Sequence, residues 1–290
     1  VCSSDLNDFS KGDLTMRKVL LATTALVAIT GVTAAHADIS ISGNIEFEYE
    51  SGDATDDMNT DGQIIVESSM TADNGVTYGV TWARKAETAG IDQYNASISS
   101  ADMGTILLGN HNDNGPGMID GSLGRNNDIE SENQVTTTDT ALSGLSGVMA
   151  TYVSPSIGGL TVAASTSSDA DASGFGARYN MGGVEVYFGS IEDEQNMGAK
   201  TTIAGLTIAV GSLKNDTTTE KSSDVAVKYT LGNGVTLAGL SARGTDSAGV
   251  KSTYSNFGAK YTIAPGVAAK IESGDADGAK YTYMSFDVSF

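Results

Sequence analysis

Carboxylates supply most of the chemically capable groups in this sequence. Asp57-Met-Asn-Thr-Asp-Gly-Gln-Ile64 follows the opening of a calcium loop, D-x-N-x-D-G-x-I, in which alternate oxygen ligands surround the ion and the glycine permits a sharp turn. The pattern departs at its end, because the twelfth position is Ser68 and Glu67 stands one place early. A helix-loop-helix calcium hand is excluded. Two readings remain: a partial oxygen site for calcium using Asp53, Asp57, Asn59 and Asp61, or a polar hairpin turn with Gly62 at its bend. Material for catalysis is scarce. His111 is the sole histidine outside the N-terminal leader, so a Ser-His-Asp arrangement would depend on it alone, and a zinc site would lack nitrogen and sulfur partners. No spacing among the carboxylates singles out an acid and a base. The expectation is a protein without enzyme activity or a required cofactor.

A second acidic concentration lies between His111 and Gly147, with Asp113, Asp120, Asp128, Glu130, Glu132 and Asp139, and Arg125 as its only cation. Charges of this kind act through position rather than bond making, so the elements that hold them decide their meaning.

The leader comes first. Met16-Arg-Lys opens an apolar run that ends in Ala35-His36-Ala37, the pattern of a secretory signal peptide with a small-x-small cleavage site. The run is too short for a membrane-spanning helix. Residues 1–15 precede this start, and Val1–Leu6 reads as translated adapter sequence, so they are expected to be non-native or upstream; residues 16–37 are the expected signal peptide and 38–290 the mature domain. Cys2, the only cysteine, goes with the first segment. The two leading segments carry three charges of each sign, leaving 13 cations against 33 acids and the same net charge of −20. Nothing basic is clustered to neutralise phosphates, which excludes nucleic acid as a partner class.

The mature chain is organised by period two. In Ile39-Ser-Ile-Ser-Gly-Asn-Ile-Glu-Phe-Glu-Tyr-Glu50 the odd positions are apolar except Gly43 and the even ones polar, long enough to cross a bilayer as a tilted strand. Ile64–Ala72 and Val76–Lys85 flank Asp73-Asn-Gly75, a hairpin signal because the Asn-Gly pair accepts positive φ. Further alternating segments run 93–100, 105–110, 148–154, 160–166, 173–181, 184–190, 196–203, 206–213, 223–231, 235–243, 253–263, 267–273 and 279–290. Sixteen strands result, with short and longer connections in alternation. The final segment puts Met284, Phe286, Val288 and Phe290 on one face and Tyr283, Ser285 and Asp287 on the other, as the last strand of an outer-membrane β-barrel does. No helical period occurs outside the leader. The fold class is all-β: a transmembrane antiparallel barrel of about 16 strands. A soluble sandwich or solenoid is the competing architecture, since alternation alone does not say whether lipid or another sheet covers the apolar face.

With these features in place, the chain resembles the Gram-negative general-diffusion porins. The likeness rests on Tyr94-Asn-Ala-Ser-Ile-Ser-Ser-Ala-Asp-Met-Gly-Thr-Ile-Leu-Leu-Gly109, on Tyr152-Val-Ser-Pro-Ser-Ile-Gly-Gly-Leu-Thr-Val162 and on the C-terminal strand. The resemblance implies a sixteen-stranded barrel, usually trimeric, whose third external loop folds into the lumen. Residues 111–147 are long enough for that loop, and Asp113, Asp120, Arg125, Asp128, Glu130 and Glu132 become the expected constriction residues. Phe286, Val288 and Phe290 become the expected assembly signal. Two features depart from the family: the connection at Glu87-Thr-Ala-Gly90 is short where a trimer-latching loop is usual, and the wall lacks a dense arginine ladder.

Parity then assigns faces. Glu46, Glu48, Glu67, Arg178, Glu185, Lys200, Lys228, Lys260 and Lys270 point into the lumen, while Phe47, Tyr49, Tyr78, Trp82, Tyr179, Phe188, Tyr229 and Tyr261 face lipid. Acids on an infolded loop opposite bases on the wall would set a transverse field that orders water and disfavours apolar solutes. The expected function is passive diffusion of small hydrophilic solutes and ions, with a weak preference for cations. Expected partners are outer-membrane lipid, lipopolysaccharide and two further copies of the chain. The alternative is a structural or adhesive envelope barrel without an open pore. A substrate-specific channel would need an aromatic ladder, for which Tyr187, Tyr281 and Tyr283 are too few.

Overall fold

The computed structural model describes residues 37–53, 56–86, 93–111, 138–168 and 172–290. Sixteen strands follow one another: β1 (Asp38–Gly52), β2 (Asp56–Thr71), β3 (Thr77–Lys85), β4 (Gln93–Ser100), β5 (Gly104–Asn110), β6 (Met149–Val153), β7 (Leu160–Ser167) and β8 (Ser173–Met181) form the first half. The second half is β9 (Val184–Ile191), β10 (Glu194–Ile203), β11 (Leu206–Asn215), β12 (Lys221–Thr230), β13 (Val235–Thr245), β14 (Lys251–Ala264), β15 (Val267–Ala276) and β16 (Ala279–Ser289). Every strand pairs antiparallel with its sequence neighbours, and β1 pairs with β16 to close the barrel. A closed ladder leaves no unpaired strand edge, the condition for carrying a sheet through hydrocarbon. No helix among the described residues is long and apolar enough to cross a membrane.

The alternation written in the sequence becomes the two surfaces of the wall. Ile39, Ile41, Phe47, Tyr49, Val80, Phe257, Tyr261 and Phe286 all point outward and are exposed. A continuous apolar outside of this extent is unsuited to water and suited to lipid. The inward face instead carries Ser, Thr, Asn, charged residues and a cluster of small and aromatic side chains, Ala209, Ala226, Leu240, Ala242, Tyr254, Tyr281 and Tyr283. Inward tyrosines lie over glycines of the next strand: a Cβ at Gly274 would stand 2.3 Å from the Tyr281 ring, and one at Gly198 would stand 2.3 Å from the Tyr187 ring. Each pair is directly cross-strand, so the missing side chain is what lets the ring lie flat on the wall.

Turns follow their chemistry. Gly75 adopts φ 79 in the Asp73-Asn-Gly75 turn, and Gly182 and Gly183, at φ 61 and 87, link β8 to β9 in the two-residue geometry that matches strand twist. Two expectations need correction. β1 and β2 run on to Gly52 and back from Asp56, so Asp57, Asn59 and Asp61 stand on a strand rather than in a loop or hairpin turn bent at Gly62. Backbone pairing needs no apolar side chains, and the ladder continues through Glu50↔Asp57, Glu48↔Asn59 and Glu46↔Asp61. Connections at the end of the barrel that carries the long third connection are also not uniformly longer. Those after β9 and β15 are only Glu192–Asp193 and Asp277–Gly278.

Candidate functional site

The structure places Glu46, Glu48, Glu67, Arg178, Glu185, Lys200, Lys228, Lys260 and Lys270 on the inward face, each in register with inward residues of its neighbours. They are not evenly spread. On β1 and β2 the paired ladder sets Glu46, Glu48 and Glu50 beside Asp61, Asn59 and Asp57, five carboxylates on two strands. Arg178, Lys200, Lys228, Lys260 and Lys270 lie on β8, β10, β12, β14 and β15, toward the barrel end where β1 begins and β16 ends. In a ring of sixteen, β9 lies across from β1, so Arg178 and Lys200 stand across the lumen from the acidic ladder.

Ion pairs divide the bases further. Glu185 lies between two of them, with Oε1 at 3.3 Å from Lys200 Nζ and Oε2 at 3.8 Å from Arg178 Nε. Lys270 stands 3.1 Å from Glu46 Oε1 and 3.4 Å from Asp287 Oδ2. The Tyr283 hydroxyl donates toward Glu48 Oε1 at 2.8 Å and Glu46 Oε1 at 3.2 Å, which ties β16 to β1 on the lumen side. Lys260 forms no ion pair among the described residues.

A second inward cluster was not legible in the sequence. Tyr281 donates to Glu272 Oε1 at 2.6 Å, Tyr254 and Tyr281 hydroxyls meet at 2.6 Å, and Asn256 Nδ2 donates to the Tyr254 hydroxyl at 3.1 Å. The two rings stack at 6.3 Å. Glu272 is 1 % exposed, a buried carboxylate held by phenols. The alternation of β14 and β15 places these residues inward, but only the barrel register brings them together.

Of the long third connection, the expected constriction residues Asp113, Asp120, Arg125, Asp128, Glu130 and Glu132 lie outside the described residues. Its return arm is described, and it runs along the inside of the wall. Thr140 donates to Asp224 Oδ2 at 2.5 Å, Asn196 Nδ2 donates to the Thr140 carbonyl at 3.3 Å, and Ser222 donates to the Asp139 carbonyl. Ser143 adds two bonds to Glu194, both 2.7 Å. Asn196, Ser222 and Asp224 all face inward on β10 and β12. Thr138 and Thr140 are buried there.

This arm matters because of distance. A sixteen-stranded barrel with strands about 4.8 Å apart and tilted about 40° has a diameter of about 30 Å. Across an open lumen of that width, opposed charges are separated by more than the Debye length of about 8 Å at physiological salt and are largely screened. Polypeptide inside the barrel shortens the gap and excludes water.

The calcium residues do not converge. Asp57 and Asn59 accept from the backbone amides of Met58 and Thr60 at 2.8 Å, and Asp61 accepts from Gly62 at 2.5 Å. Asp53 accepts from the amide of Lys280 on β16. No group of three or more His, Cys, Asp or Glu side chains arranged to hold a metal occurs among the described residues. Phe290 exchanges backbone hydrogen bonds with Gly43 at 3.0 and 3.1 Å and lays its ring against that glycine. Phe286 and Val288 continue the same outward row on β16, paired with Phe47 and Ile45.

A closed barrel that is apolar outside, charged inside and partly occupied by its own third connection is a membrane-spanning channel. The sequence model of the Gram-negative porins matches residues 22–289. The chain belongs to that family, whose members reside in the outer membrane. Solved structures share the fold at low identity. A loop-deletion variant of OmpT, an outer membrane protein of Vibrio cholerae, has a TM-score of 0.72 at 12% identity, covering 88% of this chain and 99% of that one. OmpF of Salmonella typhi, solved with daunomycin, gives 0.72 at 14% over 87% and 97%. A variant of the Rh. blastica porin gives 0.69 at 15% over 87% and 100%. A search of curated proteins finds no sequence match.

Proposed function

We propose that this protein is a general-diffusion porin with a weak preference for cations. Small hydrophilic solutes and ions cross the lumen down their gradients, screened by size and by the charge on the wall. The observation that carries this reading is the return arm bonded to the inside of β10 and β12, since a segment inside the barrel turns a wide cylinder into a sieve. Cation preference follows from the charge on the wall: Glu185, Glu46 and Asp287 stand beside three of the six inward bases among the described residues, and the ladder on β1 and β2 adds Glu48, Glu50, Asp57 and Asp61. Residues 112–137, with their surplus of carboxylates, complete the constriction in this reading.

The working form is a homotrimer in the outer membrane, reached after cleavage of the leader, with lipopolysaccharide in contact with its outside. A structure of Vibrio cholerae OmpT in trimer form supports the trimer. Single-channel recording in planar bilayers tests the function: stepwise conductance with a reversal potential favouring the cation is expected, and a folded barrel that never conducts would sink the proposal. A reversal potential favouring the anion would overturn the selectivity alone.

A further inference from the structure

Two lysines on the inner wall share one hollow. Lys200 on β10 and Lys228 on β12 flank β11, with about 10 Å between the two outer strands. Between them β11 presents Ala209, paired with Lys200 and Ala226, and Thr207, paired with Thr202 and Lys228. These six residues line a cavity of about 210 Å³. Ala209 and Ala226, both 4 % exposed, form its floor, and their short side chains leave the space above them open to the lysine stems. At the edge the Thr202 and Thr207 hydroxyls stand 2.9 Å apart. One hydroxyl hydrogen serves that contact, which leaves the second to donate into the cavity.

The site has a fixed place relative to the return arm. Thr140 is bound by Asn196 on β10 and binds Asp224 on β12, the same two strands that carry the lysines. Lys200 and Lys228 each follow four residues after those anchors, about 14 Å further along the wall, on the side of the arm where β1 begins. A solute that passes the arm meets this hollow next.

We propose that the hollow between Lys200 and Lys228 is a resting site for the phosphoryl group of small phosphorylated solutes and of inorganic phosphate. The proposal rests on the open-lumen reading above and adds a substrate class to it. Charge favours an anion here. The inward neighbours of Lys228 on the wall are Ala226, Thr230, Thr207 and Ala238, none of them charged. Lys200 stands 3.3 Å from Glu185, but Glu185 also serves Arg178, so this stretch of wall sets three bases against one acid. Geometry selects the kind of anion. Ammonium groups from two sides and a hydroxyl from the edge approach one point from different directions, which suits a tetrahedral group with several acceptor oxygens. A planar carboxylate is better met by the flat fork of an arginine, whereas lysines act as separate point charges. Size agrees, because a water takes about 30 Å³, so the hollow seats a phosphoryl group together with a few waters. In a lumen that disfavours anions overall, such a site raises their local concentration just beyond the arm.

The test follows the phosphorus NMR linewidth of inorganic phosphate titrated against the refolded full barrel in detergent, in mildly alkaline buffer at constant ionic strength. The intact protein is expected to broaden the line saturably, with methyl phosphate competing for the same site. Lys200→Gln with Lys228→Gln should weaken binding by about tenfold or more, since each substitution removes a charge-assisted hydrogen bond. Lys200→Arg with Lys228→Arg keeps both charges and should keep most of the effect. Lys260→Gln removes a lumen charge outside the hollow and should leave the half-saturation point where it is. Gel mobility of the folded barrel is checked for every variant. Broadening that never saturates, displacement by equimolar chloride, or the same half-saturation in the double glutamine variant would overturn the proposal. So would an equal loss from Lys260→Gln, which would reduce the effect to general attraction by a charged wall. Conductance in potassium chloride is recorded on the same samples: normal conductance without saturable phosphate binding defeats the site alone, and a folded intact barrel that does not conduct defeats the channel reading beneath it.

Discussion

Lys270 on β15 reaches across the width of β16 to bring its ammonium within 3.1 Å of Glu46 Oε1 on β1. The two residues are 224 positions apart in sequence, and the bond straddles the one strand pairing that is not between neighbours. On the way it passes Asp287 on β16 at 3.4 Å.

Replacing Lys270 with Met should destabilise the closure, because Glu46 and Asp287 are cross-strand partners and would then face each other without a cation. Leaving a half-buried charge uncompensated costs about 2 kcal/mol, somewhat below the value for a fully buried pair. Thermal unfolding followed by gel mobility of the folded barrel should register the loss. Adding Glu46→Gln and Asp287→Asn should restore most of it, and no change in the single variant would show that the triad is neutral for stability.

Thr140→Val removes the hydroxyl that the return arm donates to Oδ2 of the buried Asp224. The cost is about 1.5–3 kcal/mol, concentrated in the arm rather than the barrel. Liposome swelling should then admit larger sugars while gel mobility stays normal. Thr140→Ser should behave as the parent.

Glu185→Gln frees Arg178 and Lys200 from their shared acid. One unit of charge acting at about 8 Å through water is worth about 0.5 kcal/mol against the cation and as much in favour of the anion, so the cation-to-anion permeability ratio should fall about fivefold. Lys200→Gln should move it the other way. Reversal potentials under a salt gradient measure both.

Gly274→Ala places a methyl where the Tyr281 ring lies, forcing the ring away from Glu272. Loss of a hydrogen bond to a buried carboxylate makes this substitution cost about 1.5–3 kcal/mol, far more than an ordinary glycine-to-alanine change in a strand. Adding Tyr281→Phe, which has already given up the hydroxyl, should make the second change much less than additive, a coupling read from the four melting curves.

Calcium titration of the refolded barrel should give no saturable heat. Asp57, Asn59 and Asp61 are every second residue of a strand and span about 13 Å, whereas oxygens around one calcium ion lie within about 5 Å of each other. A saturable heat abolished by Asp57→Asn would overturn this.

The wall was legible because period two survives wherever one face meets lipid. Residues 39–50 and 279–290 give both strand and facing without ambiguity, and Asn74-Gly75 marks its own turn. Legibility ended where the outward face leaves the hydrocarbon. From Asp56 to Gln63 both faces are polar apart from Met58, so a strand reads as a loop and its Asp-x-Asn-x-Asp-Gly spacing as a metal motif. The acidic ladder on β1 and β2 was therefore half seen: Glu46 and Glu48 were placed, but Asp57 and Asp61 join them only through the register. Thr140 carries no signal at all. Its partner lies 84 residues away, and nothing local distinguishes it from any other polar loop residue.

Fifteen of the sixteen pairings in this barrel join strands next to each other in sequence, and one joins Asn44 to Ser289. Hairpins can form as the chain is made, but the sheet keeps two open edges until β16 is available, and the final pairing carries nearly all the loop-closure entropy. Those edges, β1 and whichever strand was last added, are unpaired and apolar on one side, the surface on which sheets aggregate. Late closure makes the time between synthesis and sealing the vulnerable interval. A lesion at Gly43, where Phe290 lands, should therefore reduce yield through capture and degradation of unsealed barrels more than it weakens barrels already closed.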